Sequence, residues 1–388
     1  MSDIIWIVLF WVCAGLMVYT YFGYPLTLRL LKKRYSRPPL MDENDWPRVA
    51  VMIPAYNEET VINEKVLNCL AQDYPAEKLQ VLVGSDGSTD KTDELVGSID
   101  DPRVKLLRLG GRNGKPLVLN KLYEHATDAE VVVISDANIQ WDKQALRMAC
   151  RHFADPQVGV VSAGRYAISD SRDELALEEQ HYTAHENNLK TLESHVGGMS
   201  GGLGMLLAIR RSLFRPFPPG SANDDTTPMI WATLAGYRSV WEMESKAYER
   251  SGQSFLEEFR RRIRIGVGNY QTLFRYISVL NPRYGLASYT FFSHKVVRWL
   301  FPFLMIVALV SNFLLLELPF YKAMLVFQLS VYTVGLLGGI LAAFNVRLPP
   351  VTSLFHFLAM NAALLWGFFR YLKQGNRKFV WEPTARSN

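Results

Sequence analysis

Long apolar segments at the two ends of the chain constrain its fold more than any other feature. The first, residues 4–24, carries no charge over about the 20 residues that a membrane-spanning helix needs. Three further uncharged segments follow near the other end, at residues 299–316, 323–344 and 351–369. One such run could be a packed soluble helix, but three in succession favour membrane spans. We therefore expect an integral membrane protein.

Basic residues flank these segments and bear on their orientation. Lys32, Lys33 and Arg34 follow the first segment, as in a stop-transfer pattern on a cytoplasmic flank. A cleavable signal peptide is the competing interpretation, but the run is long and its positive charge lies on the wrong side. Three later spans would leave the C-terminal tail outside, whereas the basic residues of the tail favour the inside. Those residues are Arg370, Lys373, Arg377, Lys378 and Arg386. The side of the tail stays open, and one of the last segments could be re-entrant or interfacial.

Residues 47–250 alternate between short apolar runs and helical stretches. The runs at 49–53, 79–83, 105–109, 131–134 and 158–163 predict strands, and the periodicity at 61–72, 116–126 and 143–153 predicts helices. This alternation is typical of an α/β domain with a mostly parallel sheet. Residues 254–276 place apolar side chains at helical spacing with arginines between them, which predicts an amphipathic helix that can lie along a membrane interface.

Charge and cysteine content narrow the class of protein. The formal net charge of +5 is spread over a membrane protein. It therefore indicates a positive-inside bias and a site for an anionic substrate rather than a nucleic-acid partner. Three cysteines, Cys13, Cys69 and Cys150, lie far apart without metal or disulfide spacing, which fits a reducing cytosolic location for the middle domain. The sequence does not indicate an oligomeric state.

Four groups of polar residues stand out between the apolar segments. They are Asp86-Gly87-Ser88, Asp136-Ala137-Asn138, Asp224-Asp225 and the arginine-rich residues 261–264. The first two groups each follow a predicted strand rich in valine, and open α/β sheets bind their ligands at the carboxyl ends of such strands. Acids and arginines held beside a membrane suggest phosphate chemistry on a lipid-borne or exported product.

A series of motifs extends over residues 49–298 in a fixed order. The motifs are PAYNE, SDGSTD, GKPLVLN, SDAN, GGLGMLLAIRRSLF, NDD followed by GYR, and RRRIRIGVGN. Each alone is weak, but in this order they resemble the membrane-integrated family-2 glycosyltransferases. That group includes cellulose, hyaluronan and poly-N-acetylglucosamine synthases and ceramide glucosyltransferases. The resemblance implies a GT-A-like α/β domain with flanking transmembrane and interfacial helices.

The resemblance also implies a binding site for a UDP-sugar donor. Transfer from a nucleotide sugar needs charge neutralisation on the departing diphosphate, by a divalent metal or by Arg and Lys. Asp136 and Asn138 occupy the family's metal-binding Asp-X-Asp position, which implies Mg²⁺ or Mn²⁺ as cofactor. The alternative to a metal site is that this polar pair only marks the end of a buried strand. The implied contacts to the nucleotide come from Pro54, Ala55, Tyr56, Glu58, Asp86, Lys115 and Asp136.

The adjacent carboxylates Asp224 and Asp225 match the family's Thr-Glu-Asp position. The resemblance implies that Asp225 is the catalytic base, with Asp224 beside it. Two neighbouring carboxylates repel each other, which can raise the pKa of one of them to suit a proton acceptor. The same residues, followed by Thr226-Thr227-Pro228, also look like a helix N-cap. The two interpretations are compatible.

The arginine cluster departs from the family pattern. It aligns with the Gln-X-X-Arg-Trp motif, so that Arg264 falls on the diphosphate-binding Arg and Arg261 replaces Gln. Ile265 replaces the Trp that stacks on the acceptor sugar in processive synthases, which puts processive elongation in doubt. Gly202 and Gly204 match the acceptor-side loop, where glycine permits close backbone approach. A flexible turn is the alternative interpretation for these glycines.

These inferences combine into one expectation for the whole chain. Residues 1–34 form an N-terminal transmembrane helix with a basic flank, and 47–250 form a cytosolic GT-A domain. Residues 251–293 form amphipathic interfacial helices, and 294–388 form a membrane region of about three spans with a basic tail. The expected activity is the inverting, metal-dependent transfer of a hexose from a UDP-sugar to a lipid-linked or glycan acceptor at the inner or plasma membrane.

Two alternatives to this function stay open. A processive polysaccharide synthase is the first. An inactive scaffolding subunit of a glycan export complex is the second, and it belongs to another class of protein. The joint presence of Asp86, Asp136, Asp225 and Arg264 argues against the scaffold, since a protein without activity has no need of that set.

Overall fold

The computed structural model describes residues 2–31, 45–168, 174–250, 255–344, 346 and 348–375. The chain divides into two compact units. The sheet unit comprises Leu28–Gln253, Phe274–Phe291 and Asn376–Asn388, and the helical unit comprises Met1–Thr27, Ser254–Leu273 and Phe292–Gly375. The predicted basic flank at residues 32–34 and the part of the basic tail beyond residue 375 lie outside the described residues.

The helices and strands follow the predicted alternation in the first half of the sheet unit. The helices are α1 (Ser2–Val18), α2 (Tyr24–Leu31), α3 (Ile62–Leu70), α4 (Thr92–Gly97), α5 (Lys115–His125), α6 (Ala145–Cys150), α7 (Glu174–Val196), α8 (Thr227–Leu234), α9 (Phe255–Arg275), α10 (Leu286–Thr290), α11 (Val297–Leu314), α12 (Pro319–Ala343) and α13 (Pro349–Gln374). The strands are β1 (Val49–Ala55), β2 (Leu79–Ser85), β3 (Val104–Arg108), β4 (Val131–Ile134), β5 (Gln140–Trp141), β6 (Val158–Ile168), β7 (Leu207–Arg210) and β8 (Arg238–Arg250).

The strands of the sheet unit form a single mixed sheet. Their order is β3-β2-β1-β4-β7-β6-β8-β5. β1 pairs in parallel with β2 and β4, and β2 pairs in parallel with β3. β7 runs antiparallel to β4 and β6, β6 runs parallel to β8, and the short β5 runs antiparallel to β8. The expectation of a mostly parallel sheet is confirmed.

Both faces of the central strands are buried, because helices cover the sheet on each side. Val51 of β1 packs in one core with Val66 of α3. The next residue, Met52, points to the opposite face and packs in a second core with Val118 of α5. Strands covered on both faces read as continuous apolar runs rather than as alternating patterns. This is why the valine-rich runs in the sequence predicted the strands β1, β2 and β4 well.

The described part of the chain contains four helical segments that are long and apolar enough to cross a membrane. They are Asp3–Leu31, Leu286–Leu314, Pro319–Ala343 and Pro349–Lys373. The four apolar segments of the sequence therefore correspond to four candidate spans, as expected. Within the helical unit, the Asn312 side chain of α11 donates a hydrogen bond to Gln328 of α12 over 3.0 Å. A polar pair of this kind fixes how two apolar helices pack.

The predicted amphipathic helix at residues 254–276 is α9. It packs tightly against α13 in the helical unit, since a Cβ atom placed on Gly367 would lie 2.9 Å from the Cα atom of Gly266. Phe255 and Leu256 at its start are exposed. The position of α9 at a membrane interface stays a prediction.

Candidate active site

Three loops that follow parallel strands carry most of the predicted donor-site residues. Tyr56 directly follows β1, Asp86 directly follows β2, and Asp136 comes shortly after β4. β1 lies between β2 and β4, and all three strands run in the same direction. Their carboxyl ends therefore meet at one edge of the sheet, where open α/β folds bind ligands.

Asp86 is buried and organises the loop that precedes α5. The Asp86 residue is only 1% exposed. One carboxylate oxygen accepts hydrogen bonds from the backbone N–H of Asn113 at 2.7 Å and from its side-chain amide at 3.1 Å. The other oxygen accepts a bond from the backbone N–H of Gly114 at 2.8 Å. Gly114 has a φ of 87°, a backbone conformation that favours glycine. A buried carboxylate thus fixes the chain just before Lys115.

Arg112, in the same loop, stacks on the predicted nucleoside residue Tyr56. The Arg112 guanidinium carbon lies 3.1 Å from the centroid of the Tyr56 ring. Its Nε atom lies 3.8 Å from a carboxylate oxygen of Asp86. An aromatic ring, a cation and a carboxylate are thereby grouped in one place. Such a group offers stacking and hydrogen-bonding surfaces to a flat, polar ring such as a nucleobase.

The other predicted nucleoside residues support the same edge of the sheet. Pro54 and Ala55 are buried at the end of β1, and the Ala55 carbonyl accepts a 2.9 Å hydrogen bond from the backbone N–H of Asp86. Glu58 is 3% exposed, and its backbone N–H donates to the Thr92 hydroxyl at 2.8 Å. These contacts hold the ends of β1 and β2 together.

Lys115 joins two predicted site carboxylates that are far apart in the sequence. Its ammonium nitrogen lies 2.5 Å from Asp136 Oδ1 and 2.7 Å from Asp224 Oδ2. The Lys115 and Asp224 side chains are 12% and 13% exposed, whereas that of Asp136 is 38% exposed. The arrangement therefore has a sheltered side formed by Lys115 and Asp224 and an open side at Asp136.

Burial and charge act together on the titration of this cluster. Burial would lower the pKa of Lys115, but the carboxylates of Asp136 and Asp224 outweigh it, so the pKa of Lys115 is raised. Burial also raises the pKa of Asp224; Lys115 opposes this rise, and the neighbouring carboxylates Asp136 and Asp225 add to it. Lys115 is therefore charged at neutral pH. Asp224 holds its negative charge less firmly than an exposed Asp does.

The two predicted acceptor-side glycines differ in their surroundings. A Cβ atom on Gly202 would lie 2.6 Å from the Met229 side chain and 3.0 Å from the Asp225 carbonyl, so this glycine is required for packing. A Cβ atom on Gly204 would lie 3.5 Å from both Asp136 Oδ2 and Lys115 Nζ. The Gly204 carbonyl also accepts a 3.1 Å hydrogen bond from the backbone N–H of Asp136. Gly204 therefore keeps the approach to the charged cluster clear of side-chain atoms.

Asp136 and Asn138 are chemically suited to a divalent cation such as Mn²⁺ or Mg²⁺. Both residues are partly exposed, and they offer carboxylate and amide oxygens. No group of three or more His, Cys, Asp or Glu side chains in the described ranges could hold a metal ion. A cation bound here would take its remaining ligands from donor phosphates and water, as Mg²⁺ commonly does at phosphate sites.

The remaining predicted residues lie beside Asp224 or on α9 of the helical unit. Asp225 is partly exposed and precedes α8, next to the buried Asp224. Arg261, Arg264 and Ile265 lie on α9 and are partly exposed, and Arg261 Nη1 lies 3.6 Å from Glu258 Oε2 on the same helix.

Sequence reasoning missed Arg112 and Asn113, which the structure places against Tyr56 and Asp86. The glycines on both sides, Gly110, Gly111 and Gly114, were the available signal. A glycine-rich stretch before a helix commonly lets the backbone approach a ligand or a carboxylate closely.

Part of the chain matches a known protein family. Residues 50–216 match the profile of the family described as glycosyl transferase family 2. A β-monoglucosyldiacylglycerol synthase from Synechocystis is 31% identical over 152 residues, which are 37% of this chain and 31% of that protein. A poly-β-1,6-N-acetyl-D-glucosamine synthase from Staphylococcus aureus is 22% identical over 272 residues, which are 69% of this chain and 64% of that protein. The chain spans about a third to a half of the length of the first curated relatives it matches.

A solved structure resembles this one over nearly its full length. It is a mannosyltransferase from Pyrobaculum calidifontis in complex with GDP-mannose and Mn²⁺, with 26% identity and a TM-score of 0.68. The match covers 94% of this chain and 99% of the mannosyltransferase. The expected GT-A-like fold is confirmed by this likeness.

Proposed function

We propose that this chain, whose residues 50–216 match glycosyl transferase family 2, transfers a hexose from a nucleoside diphosphate sugar to a lipid acceptor held in the membrane. The observation that carries this proposal is the cluster of Lys115, Asp136 and Asp224 at the carboxyl ends of the parallel strands. Four long apolar helices in the same chain support an acceptor that stays in the membrane.

The donor side of the site is suited to a nucleotide. We propose that the nucleoside contacts the neighbouring residues Tyr56, Arg112 and Asp86. The Lys115 ammonium can bind an oxygen of the diphosphate. Asp136 and Asn138 would hold a divalent cation, Mn²⁺ or Mg²⁺, which when bound neutralises charge on the departing diphosphate. The proposed contacts of Arg261 and Arg264 to the same diphosphate rest on sequence resemblance.

Asp225 is the proposed catalytic base. It is adjacent to Asp224 and more exposed, so an acceptor hydroxyl can reach its carboxylate more easily. The base takes the hydroxyl proton as the oxygen attacks the anomeric carbon. The bond to the diphosphate breaks on the opposite face of the sugar, so the configuration at that carbon inverts. Asp224, ion-paired with Lys115, is proposed to keep the ammonium in place for the leaving diphosphate.

The donor nucleotide has two candidates. Sequence resemblance favours a UDP-sugar, whereas the mannosyltransferase that matches over nearly the full length was solved with GDP-mannose. The Asp86 carboxylate can accept a hydrogen bond from the ring N–H of either uracil or guanine. We therefore propose a nucleoside diphosphate hexose and treat UDP and GDP as alternatives for the assay.

The proposed product is a lipid that carries one or a few sugars. A relative named for glycolipid synthesis supports this, as does Ile265 in the place of the stacking Trp. The likeness to a poly-β-1,6-N-acetyl-D-glucosamine synthase favours a second candidate, a processive polymerase. The size of the product distinguishes the two. The catalytic residues are proposed to face the cytosol, because nucleotide sugars are made there.

A donor panel tests the proposed function. Purified full-length protein in lipid vesicles, with Mn²⁺, is incubated with UDP-glucose, UDP-galactose, UDP-N-acetylglucosamine and GDP-mannose, and release of the nucleoside diphosphate is measured. We expect release with one donor, dependent on an added diacylglycerol or glycolipid acceptor. The Asp225→Asn variant is the matched control and should release at least about 100-fold less.

Two results would contradict the proposal. Release that does not depend on the acceptor would indicate donor hydrolysis rather than transfer. Absence of release with every donor, from protein that binds nucleotide and is folded, would favour the inactive scaffold.

A further inference from the structure

Lys115 lies where its charge opposes that of a divalent cation. Its ammonium nitrogen is 2.5 Å from Asp136 Oδ1, and Asp136 is the carboxylate proposed to bind the metal. A cation such as Mg²⁺ binds carboxylate oxygens at about 2.1 Å. A divalent cation bound to Asp136 would therefore share this carboxylate with the Lys115 ammonium, which already contacts it. Two positive groups at such a distance repel each other, and water screens this repulsion less on the sheltered side of the cluster, where the Lys115 side chain is 12% exposed.

The surroundings of Lys115 keep its ammonium group beside Asp136. Asp224 contacts the same ammonium at 2.7 Å, and the Lys115 side chain is only 12% exposed. The ammonium cannot easily move into water, because it would leave the buried Asp224 carboxylate unpaired. A ligand that takes over the ammonium has to be negatively charged and to reach the sheltered side of the cluster. The diphosphate of a nucleotide sugar meets both conditions.

The loop that precedes Lys115 also forms part of the proposed nucleoside site. Asp86 binds the backbone N–H groups of Asn113 and Gly114, the two residues that precede Lys115. A nucleoside that contacts Asp86 or Arg112 therefore touches the loop that positions the ammonium. The diphosphate and the nucleoside of a bound nucleotide would therefore both affect the position of Lys115.

We infer that Lys115 competes with the divalent cation for Asp136. The metal then binds weakly until a nucleoside diphosphate draws the Lys115 ammonium away from Asp136. Metal and nucleotide then bind cooperatively, and Lys115 accounts for part of the coupling. This deepens the proposed function and rests on its metal site at Asp136. It differs from a role in which Lys115 only binds phosphate, because such a role leaves metal affinity unaffected when no nucleotide is added.

Mn²⁺ binding to the full-length protein tests the inference without measuring activity. Free Mn²⁺ is followed by electron paramagnetic resonance while protein is titrated, first without nucleotide. We expect the Lys115→Met variant to bind Mn²⁺ about 10-fold more tightly than the wild type, a typical size for coupling between sites. Lys115→Arg retains the positive charge and should bind Mn²⁺ as weakly as the wild type.

The matched control is Lys121→Met, on the same helix. Lys121 is exposed and pairs with Glu124 at 2.9 Å, away from the cluster. This variant should leave Mn²⁺ affinity unchanged. The double variant Lys115→Met with Asp136→Asn should lose the gain, which assigns the bound Mn²⁺ to Asp136. Thermal unfolding of each variant confirms that it is folded.

A second titration, with UDP or GDP present, measures the coupling after correction for Mn²⁺ bound to free nucleotide. We expect nucleotide to tighten Mn²⁺ binding more in the wild type than in Lys115→Met. Equal or weaker Mn²⁺ binding by Lys115→Met without nucleotide would overturn the competition while leaving metal-dependent transfer intact. Failure of Mn²⁺ to bind the wild type even with nucleotide would overturn the competition and the proposed metal site together. Should Lys115→Met fail to fold, Lys115→Gln and the nucleotide dependence of the wild type decide the question.

Discussion

Replacing the buried Lys65 by methionine should stabilise the protein at neutral pH. Lys65 is 0% exposed, and its ammonium lies 3.8 Å from the centroid of the Trp141 ring. Its pKa is lowered to about 8, chiefly by burial, with the Cys69 thiol and the Asp136 carboxylate acting in the opposite direction. Methionine has a similar length and no charge, so it fills the same space without the cost of burying an ion.

The size of the effect follows from the pKa. The ordinary pKa is 10.5, and a fall to about 8 corresponds to roughly 3.5 kcal/mol at about 1.4 kcal/mol per pKa unit. The unfolded chain binds the Lys65 proton more tightly than the folded protein does. The penalty is therefore fully present below pH 8, shrinks as the pH rises, and is gone above pH 10.5. Loss of the cation–π contact with Trp141 offsets about 1 kcal/mol of the gain.

Thermal unfolding followed by tryptophan fluorescence measures this difference. At pH 7, Lys65→Met should unfold roughly 5–10 °C above the wild type, from a net gain of about 2.5 kcal/mol at about 2–4 °C per kcal/mol for a unit of this size. At pH 10 the two melting temperatures should lie close together. Comparing the two proteins at each pH cancels the titration of other groups, and the exposed Lys121→Met serves as control. A less stable variant at pH 7, with a gap that does not narrow at pH 10, would refute the reasoning.

Three further outcomes are expected from the site. EDTA should abolish transfer and Mn²⁺ or Mg²⁺ should restore it, whereas full activity in chelator would exclude a metal at Asp136. Asp225→Asn should lower kcat by about 100-fold or more while nucleotide binding, measured by calorimetry, persists; if Asp224→Asn is inactive instead, Asp224 is the base. Gly204→Val should lower kcat with little change in melting temperature, because its side chain crowds the cluster. Gly202→Ala should instead destabilise the fold by about 1–3 kcal/mol, since its Cβ atom has no room.

The parallel half of the sheet could be predicted from the sequence because apolar residues fill its buried positions. Strands β1, β2 and β4 are largely buried on both faces, so they appear as nearly continuous apolar runs, with Gln80 of β2 as the exception. The site residues after β2 and β4 followed from those runs and from motif order. The positions of Asp86 and Asp136 needed no knowledge of distant contacts.

In the other half of the sheet the sequence predicted only the first part of β6, at residues 158–163, and missed β5, β7 and β8. β8 in particular carries polar residues whose partners are far away in the sequence. Glu242 of β8 is buried but paired with Arg151 at 2.8 Å and with His152 at 2.5 Å. The helix α7 buries Lys190, whose ammonium donates to the Gly201 carbonyl at 2.7 Å, and Glu193, which accepts from Ser200. Such residues look like surface residues in a sequence, and only the folded chain supplies the groups that satisfy them.

The ion pairs of Lys115 also lay beyond sequence reasoning. The sequence indicated a nucleotide contact for this lysine, but it gave no reason to connect it with Asp224, which lies on a separate loop. The connection depends on β4 and β7 pairing in the sheet, which brings the loop at Gly204 beside Asp136. The contact of Lys115 with Asp136 suggests competition between an ammonium and a metal, and the contact with Asp224 restrains that ammonium.

The transfer of labelled sugar into lipid tests the central claim most directly. Purified protein in vesicles receives radiolabelled donor, identified by the nucleotide release panel, together with Mn²⁺ and diacylglycerol or glycolipid acceptor, and the label is partitioned between water and organic solvent. We expect label in the organic phase as a lipid with one or a few sugars, from the wild type and not from Asp225→Asn. Label confined to water as free hexose, or equal transfer by Asp225→Asn, would contradict the claim that this site transfers sugar to a membrane lipid.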